Sequence, residues 1–100
     1  MDKEKLVNDL TEYMYNRDPY EFNDCYDTRE EALKDIDRVL STKKSINLVL
    51  YELNEDMTFS EKYLNNNKDK GECEMFKEAK RLYDEILEYK RELKDEGLER

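Results

Sequence analysis

Apolar residues recur at helical spacing along almost the whole chain. Leu6, Val7, Leu10 and Met14 fall at i, i+1, i+4 and i+8, which places them on one face of a helix. Asp2 stands where that helix needs an N-cap. Pro19 ends the stretch, because it lacks an amide donor and restricts Asp18 to non-helical backbone. Residues 15–27 then form a polar, aromatic connection compatible with a loop, a short turn of helix or an extended segment.

A second helix opens on Thr28-Arg29-Glu30-Glu31. This is a capping box, in which Thr28 caps the amide of Glu31 while Glu31 reaches back. Ala32, Leu33, Ile36, Val39 and Leu40 form its apolar face, and Ser41 and Thr42 break the run. Lys43 and Lys44 lead into a third helix with Ile46, Val49, Leu50, Leu53 and Met57 at i, i+3, i+4, i+7 and i+11. The short interval between Leu40 and Ile46 predicts that these two helices pack as an antiparallel hairpin. Thr58 or Ser60 is placed to open a short fourth turn carrying Phe59, Tyr63 and Leu64. Asn65 to Gly71 reads as a turn, since Asn and Gly tolerate left-handed backbone.

The last predicted helix runs from Glu72 to about Glu96 and would span ~37 Å. Phe76, Ala79, Tyr83, Ile86 and Leu93 keep heptad spacing with Lys90 among them, and Met75, Leu82 and Tyr89 form a second stripe. Two stripes admit two readings. They pack within the chain's own core, or they form a homodimer face through Met75, Leu82, Ile86, Tyr89 and Leu93, with Lys90 fixing register at some loss of stability. With two glycines and one proline, a turn-rich β fold is disfavoured. The expectation is a single all-α domain over residues 1–100, a compact bundle of about four helices with a long C-terminal one.

Composition narrows the function. Charged residues make up 45% of the chain and the formal charge is −9. Bulk electrostatics therefore oppose direct binding to nucleic acid. No run of about 18 apolar residues exists to span a membrane, and Met1-Asp2-Lys3-Glu4-Lys5 is not followed by the apolar stretch of a signal peptide. Cys25 and Cys73 read as reduced cytoplasmic thiols. Histidine, the commonest acid–base and metal-binding residue, is absent. The expected location is the cytoplasm, that of the host cell if a mobile element encodes the chain.

The charge is uneven. Residues 1–37 carry twelve acids and five bases, whereas residues 38–51 carry Arg38, Lys43 and Lys44 with no acid. Asp18, Glu21, Asp24, Asp27 and Glu30 put an acid at every third position, interleaved with Tyr20, Phe22 and Tyr26. A helical row of this kind rises ~4.5 Å per step. It would imitate a phosphate backbone and occupy a basic groove built for DNA, steered there by long-range complementarity. Aromatic residues supply the anchors such an interface needs. Asp18, Tyr20, Glu21, Phe22, Asp24, Tyr26, Asp27 and Glu30 are thus the candidate partner-binding residues. The competing reading has the three aromatics packed beneath a loop while the acids face water.

No catalytic motif is present: there is no nucleophile elbow, no glycine-rich phosphate loop and no Cys–His pair. Asn65, Asn67 and Asp69 alternate as in a calcium loop, but Lys70 stands where that loop needs glycine and Phe76 where it needs glutamate. Cys25, beside Asp24 and Asp27, is a poor candidate for a reactive thiolate. The chain reads as a non-enzyme with no cofactor and no metal.

The segment from Asp18 to Glu31 resembles short acidic helical modules of phage and conjugative elements, with an aromatic, acid-rich entry followed by an acid–Arg–Glu helix start. In size, acidity and tyrosine content the whole chain is similar to the anti-CRISPR and anti-restriction group. That resemblance implies inhibition of a host nuclease, Cas9 foremost, by occupation of its DNA-binding groove. The alternative function is a non-catalytic helical interaction module, in the extreme a homodimer. A DNA-binding regulator built on Arg38, Lys43 and Lys44 would neutralise only about three phosphates against a repelling remainder.

Overall fold

A computed structural model describes the backbone of residues 2–67 and 70–93 and the side chains of residues 2–59 and 74–93. Among the described residues five helices follow one another: α1 (Lys3–Arg17), α2 (Pro19–Cys25), α3 (Arg29–Val39), α4 (Lys43–Asn67) and α5 (Lys70–Glu92). No strand occurs among the described residues, so the fold is all-α; α2 is a helix that the hydrophobic pattern leaves undecided.

Each start has a local chemical cause. The Asp2 carboxylate accepts the amides of Glu4 and Lys5 at the head of α1. Asp18 does the same for Glu21 at α2, with Pro19 in the first turn, where its missing donor has no helical partner to lose. Pro19 thus both ends α1 and opens α2, which resolves the undecided connection as helix. At α3 the Thr28 hydroxyl accepts the Glu31 amide at 3.2 Å. The returning Glu31 carboxylate takes the amide of Asp27, one residue before the cap. Thr42 caps α4 by accepting the amide of Ser45.

The predicted break at Thr58 or Ser60 does not occur, because α4 continues through both to Asn67. Instead of capping a new helix, Thr58 donates to the carbonyl of Asn54 within α4. Of the predicted Asn65–Gly71 turn, Asn65, Asn66 and Asn67 belong to the end of α4, and Lys70 and Gly71 to α5. Lys68 and Asp69 lie outside the described residues, as does the predicted end near Glu96.

Helix pairing departs from the sequence expectation too. The long antiparallel hairpin is α4 with α5, whereas α3 and α4 diverge from their shared turn. Lys90 near the end of α5 donates to the Asn47 side chain near the start of α4 at 2.6 Å. Helix α1 lies against α3 and α5. One apolar cluster joins Leu6, Val7 and Leu10 of α1, Ile36 of α3, Ile46, Leu50 and Leu53 of α4, and Ala79, Leu82 and Ile86 of α5. The hairpin makes the molecule long, 46 × 30 × 21 Å.

Among the described residues of α5, the two sequence stripes form one buried band. Leu82 and Ile86 are fully buried, Tyr89 nearly so, and Met75 and Leu93 pack against the same cluster. The homodimer face drawn through these five residues is therefore corrected to core: α1 and α4 occupy the surface a second copy would need. Lys90 stands at the margin of the band, with its ammonium on Asn47.

Candidate functional site

Helix α2 and its flanking turns carry most of the unbalanced charge. Residues 18–31 contain six acids and one base, and that base, Arg29, is held by Glu12 of α1 at 3.0 Å. Glu21 is weakly paired with Arg17, at 4.0 Å. Asp24, Asp27 and Glu30 are exposed and make no ion pair among the described residues. The acidic row is nonetheless not one straight line. Asp18, Glu21 and Asp24 belong to α2, Asp27 to the turn, and Glu30 to the first turn of α3, so the carboxylates bend around the α2–α3 corner.

The aromatic residues divide by role. Phe22 is buried, its ring edge-on to Tyr15 at 5.5 Å and tilted against Tyr26 at 5.2 Å. Tyr26 is half-buried and its hydroxyl donates to Asp35 of α3 at 2.6 Å. Both were candidate contact residues; the structure places them instead as the packing that holds α2 against its neighbours. Tyr20 is 85% exposed and alone of the three is free to serve as an anchor. Asp18 is tied up as the α2 cap. The available surface thus comprises Tyr20, Glu21, Asp24, Asp27 and Glu30, beside a shallow depression of about 220 Å³ lined in part by Tyr15, Asn23 and Asp27. Cys25, at the end of α2, is an exposed free thiol; Cys73 lies outside the described side chains.

A second feature escaped the sequence. Where α3 diverges from α4, a cleft of about 350 Å³ opens over Leu10, Met14, Ile36 and Val49. Two similar polar clusters stand at its walls. In one, the Tyr13 hydroxyl donates to Asp56 at 2.6 Å while Arg17 approaches the same carboxylate at 3.0 Å. In the other, Tyr26 and Arg38 both donate to Asp35. Burial, then the bond to Asp35, pushes the Tyr26 phenol well above its ordinary range. The same bond, reinforced by Arg38, holds the Asp35 carboxyl below the usual carboxylate range. Tyr13 and Asp56 are 43 positions apart, so no local pattern announces their pairing.

A third cluster fastens α1 to α5. Asp9 takes Lys5 at 2.8 Å and Arg81 at 3.4 Å, and Arg81 also grips Glu78 and Glu85. Its bonds to Lys5 hold the Asp9 carboxyl below its ordinary value, and Arg81 does the same to Glu78. Paired in this way, these acids are structural.

Among the described residues no group of three or more Cys, Asp or Glu is placed to hold a metal ion, and no helix is long and apolar enough to cross a membrane. Comparison with protein-family models, curated proteins and solved structures found no match.

Proposed function

We propose that the chain is an acidic binding protein that inhibits a nucleic-acid-processing nuclease by seating its α2 surface in the enzyme's basic DNA groove, as in an anti-CRISPR protein acting on Cas9. One observation supports this reading above the others: Asp24, Asp27 and Glu30 stand exposed around the α2–α3 corner and make no ion pair among the described residues, with Tyr20 projecting beside them. Asp9, Asp35, Asp56 and Glu78, by contrast, are matched to arginine or lysine. Carboxylates left unmatched repel one another and contribute little to the fold, but they offer a complementary field to a cationic groove.

The test uses guide-loaded Cas9 and target DNA at two salt concentrations. The wild-type chain should block DNA binding, with the block relieved at high salt. The triple variant Asp24→Lys, Asp27→Lys and Glu30→Lys should lose inhibition while keeping the wild-type circular dichroism spectrum. It leaves the Asp18 cap and the Phe22 packing intact, so lost inhibition is not lost folding. Normal inhibition by this variant, or no inhibition by the wild type, would overturn the reading.

A further inference from the structure

The basic island at the head of α4 has no role in the acidic interface, and its position is costly. Lys43 and Lys44 form the first turn of α4, which has no acid there, although the helix dipole favours negative charge at that end. Neither lysine makes an ion pair among the described residues. Two turns further along, Glu52 and Glu55 are exposed and make no ion pair among the described residues either. Between them the face of α4 turned away from the core exposes Leu48 at 68% and Tyr51 at 64%, with Phe59 beyond at 59%. At 100° per residue, Lys44, Leu48, Tyr51, Glu52, Glu55 and Phe59 fall within about 100° of arc. They lie opposite the buried Ile46, Leu50 and Leu53.

This face is complementary to itself. We infer that α4 docks antiparallel on α4 of a second copy, across a two-fold axis midway between Leu48 and Tyr51. A two-fold contact is self-complementary, with residue i meeting j and j meeting i. In this register Leu48 meets Tyr51 and Lys44 meets Glu55, each twice. The carboxylate of the second copy then compensates the lysine at the helix start. A parallel arrangement would set lysine against lysine and glutamate against glutamate. About three turns of helix from each copy make a small interface, below the ~1,200 Å² of stable complexes. The dimer is therefore weak and concentration-dependent. It uses α4 and leaves the α2 surface open, so it stands or falls separately from the inhibitor reading.

Sedimentation equilibrium of the chain of 100 residues tests this, from micromolar to millimolar concentration at low and high salt. The mass should rise from 12.2 kDa toward twice that value, and the difference between the wild type and Lys44→Glu should shrink at high salt, which screens the Lys44–Glu55 pairs. Leu48→Glu with Tyr51→Glu should leave a monomer with unchanged helicity, since both side chains are exposed. Lys44→Glu should weaken the dimer roughly tenfold, two ion pairs being lost and replaced by repulsion, and adding Glu55→Lys should restore it. A wild-type chain that stays monomeric at millimolar concentration overturns the inference and leaves the face to a different partner. So does a dimer indifferent to these substitutions, or one that the charge swap fails to restore.

Discussion

Tyr26 shows how a single side chain fixes a local arrangement. Its ring covers Phe22 and its hydroxyl donates to Asp35, so it ties the α2–α3 corner to α3. Tyr26→Phe should destabilise the fold by about 1.5–3 kcal/mol, the size of a hydrogen bond to a charged acceptor, read by chemical denaturation. The phenol's folded pKa is raised, so its contribution is complete below roughly pH 10 and disappears as pH rises through the folded value. Ultraviolet titration should accordingly contain a late-ionising component that is lost in Tyr26→Phe. The acids behave oppositely. Asp35, Asp9 and Glu78 have lowered folded values, so their contributions are present above roughly pH 4 and are lost as pH falls through the folded values. Stability should therefore drop on acidification, and Asp35→Asn should flatten that dependence.

Among elements, α2 and α5 are opposites. Helix α2 has seven residues, too few to persist alone, and depends on the Asp18 cap and the Phe22 ring. Phe22→Ala, at a buried aromatic, should cost about 3–5 kcal/mol. Hydrogen exchange should locate much of the loss as early opening of residues 19–25, with α4 and α5 still protected. Helix α5 is anchored along its length by the buried band from Ala79 to Tyr89. Leu82→Ala should cost about 2–5 kcal/mol, and Leu82→Asp should unfold the chain rather than separate a dimer. A folded monomeric Leu82→Asp protein would contradict the placement of that band in the core.

At the scale of the whole molecule, the negative charge is segregated rather than spread. The α1–α2–α3 half is acidic and the start of α4 is basic, so the molecule carries a permanent charge asymmetry that orients any charged partner. With a net charge of −9, self-repulsion outweighs exposed ion pairs that are each worth at most about 1 kcal/mol. Raising salt at neutral pH should thus raise the melting temperature. Asp24→Asn with Asp27→Asn should also raise it, and should reduce its dependence on salt. A lower melting temperature would show that these carboxylates support the fold and would weaken the case for a functional acidic surface.

What the sequence determined by itself was local. Helix starts at Asp2 and Thr28 follow from side chains reaching amides two to four positions away, and the all-α class follows from apolar spacing that matches the helical period. The acids at 24, 27 and 30 were legible as a charge pattern. Tertiary structure decided everything that depends on residues far apart. It chose α4 with α5 as the hairpin, because burying the Leu82–Ile86 band needed a long partner face, which an uninterrupted α4 supplies. It took Phe22 and Tyr26 from the list of contact residues by giving them partners in Tyr15 and Asp35. It also left Leu48 and Tyr51 uncovered. Spacing along a chain tells which residues share a face; only packing tells which face is covered and which remains open to a partner.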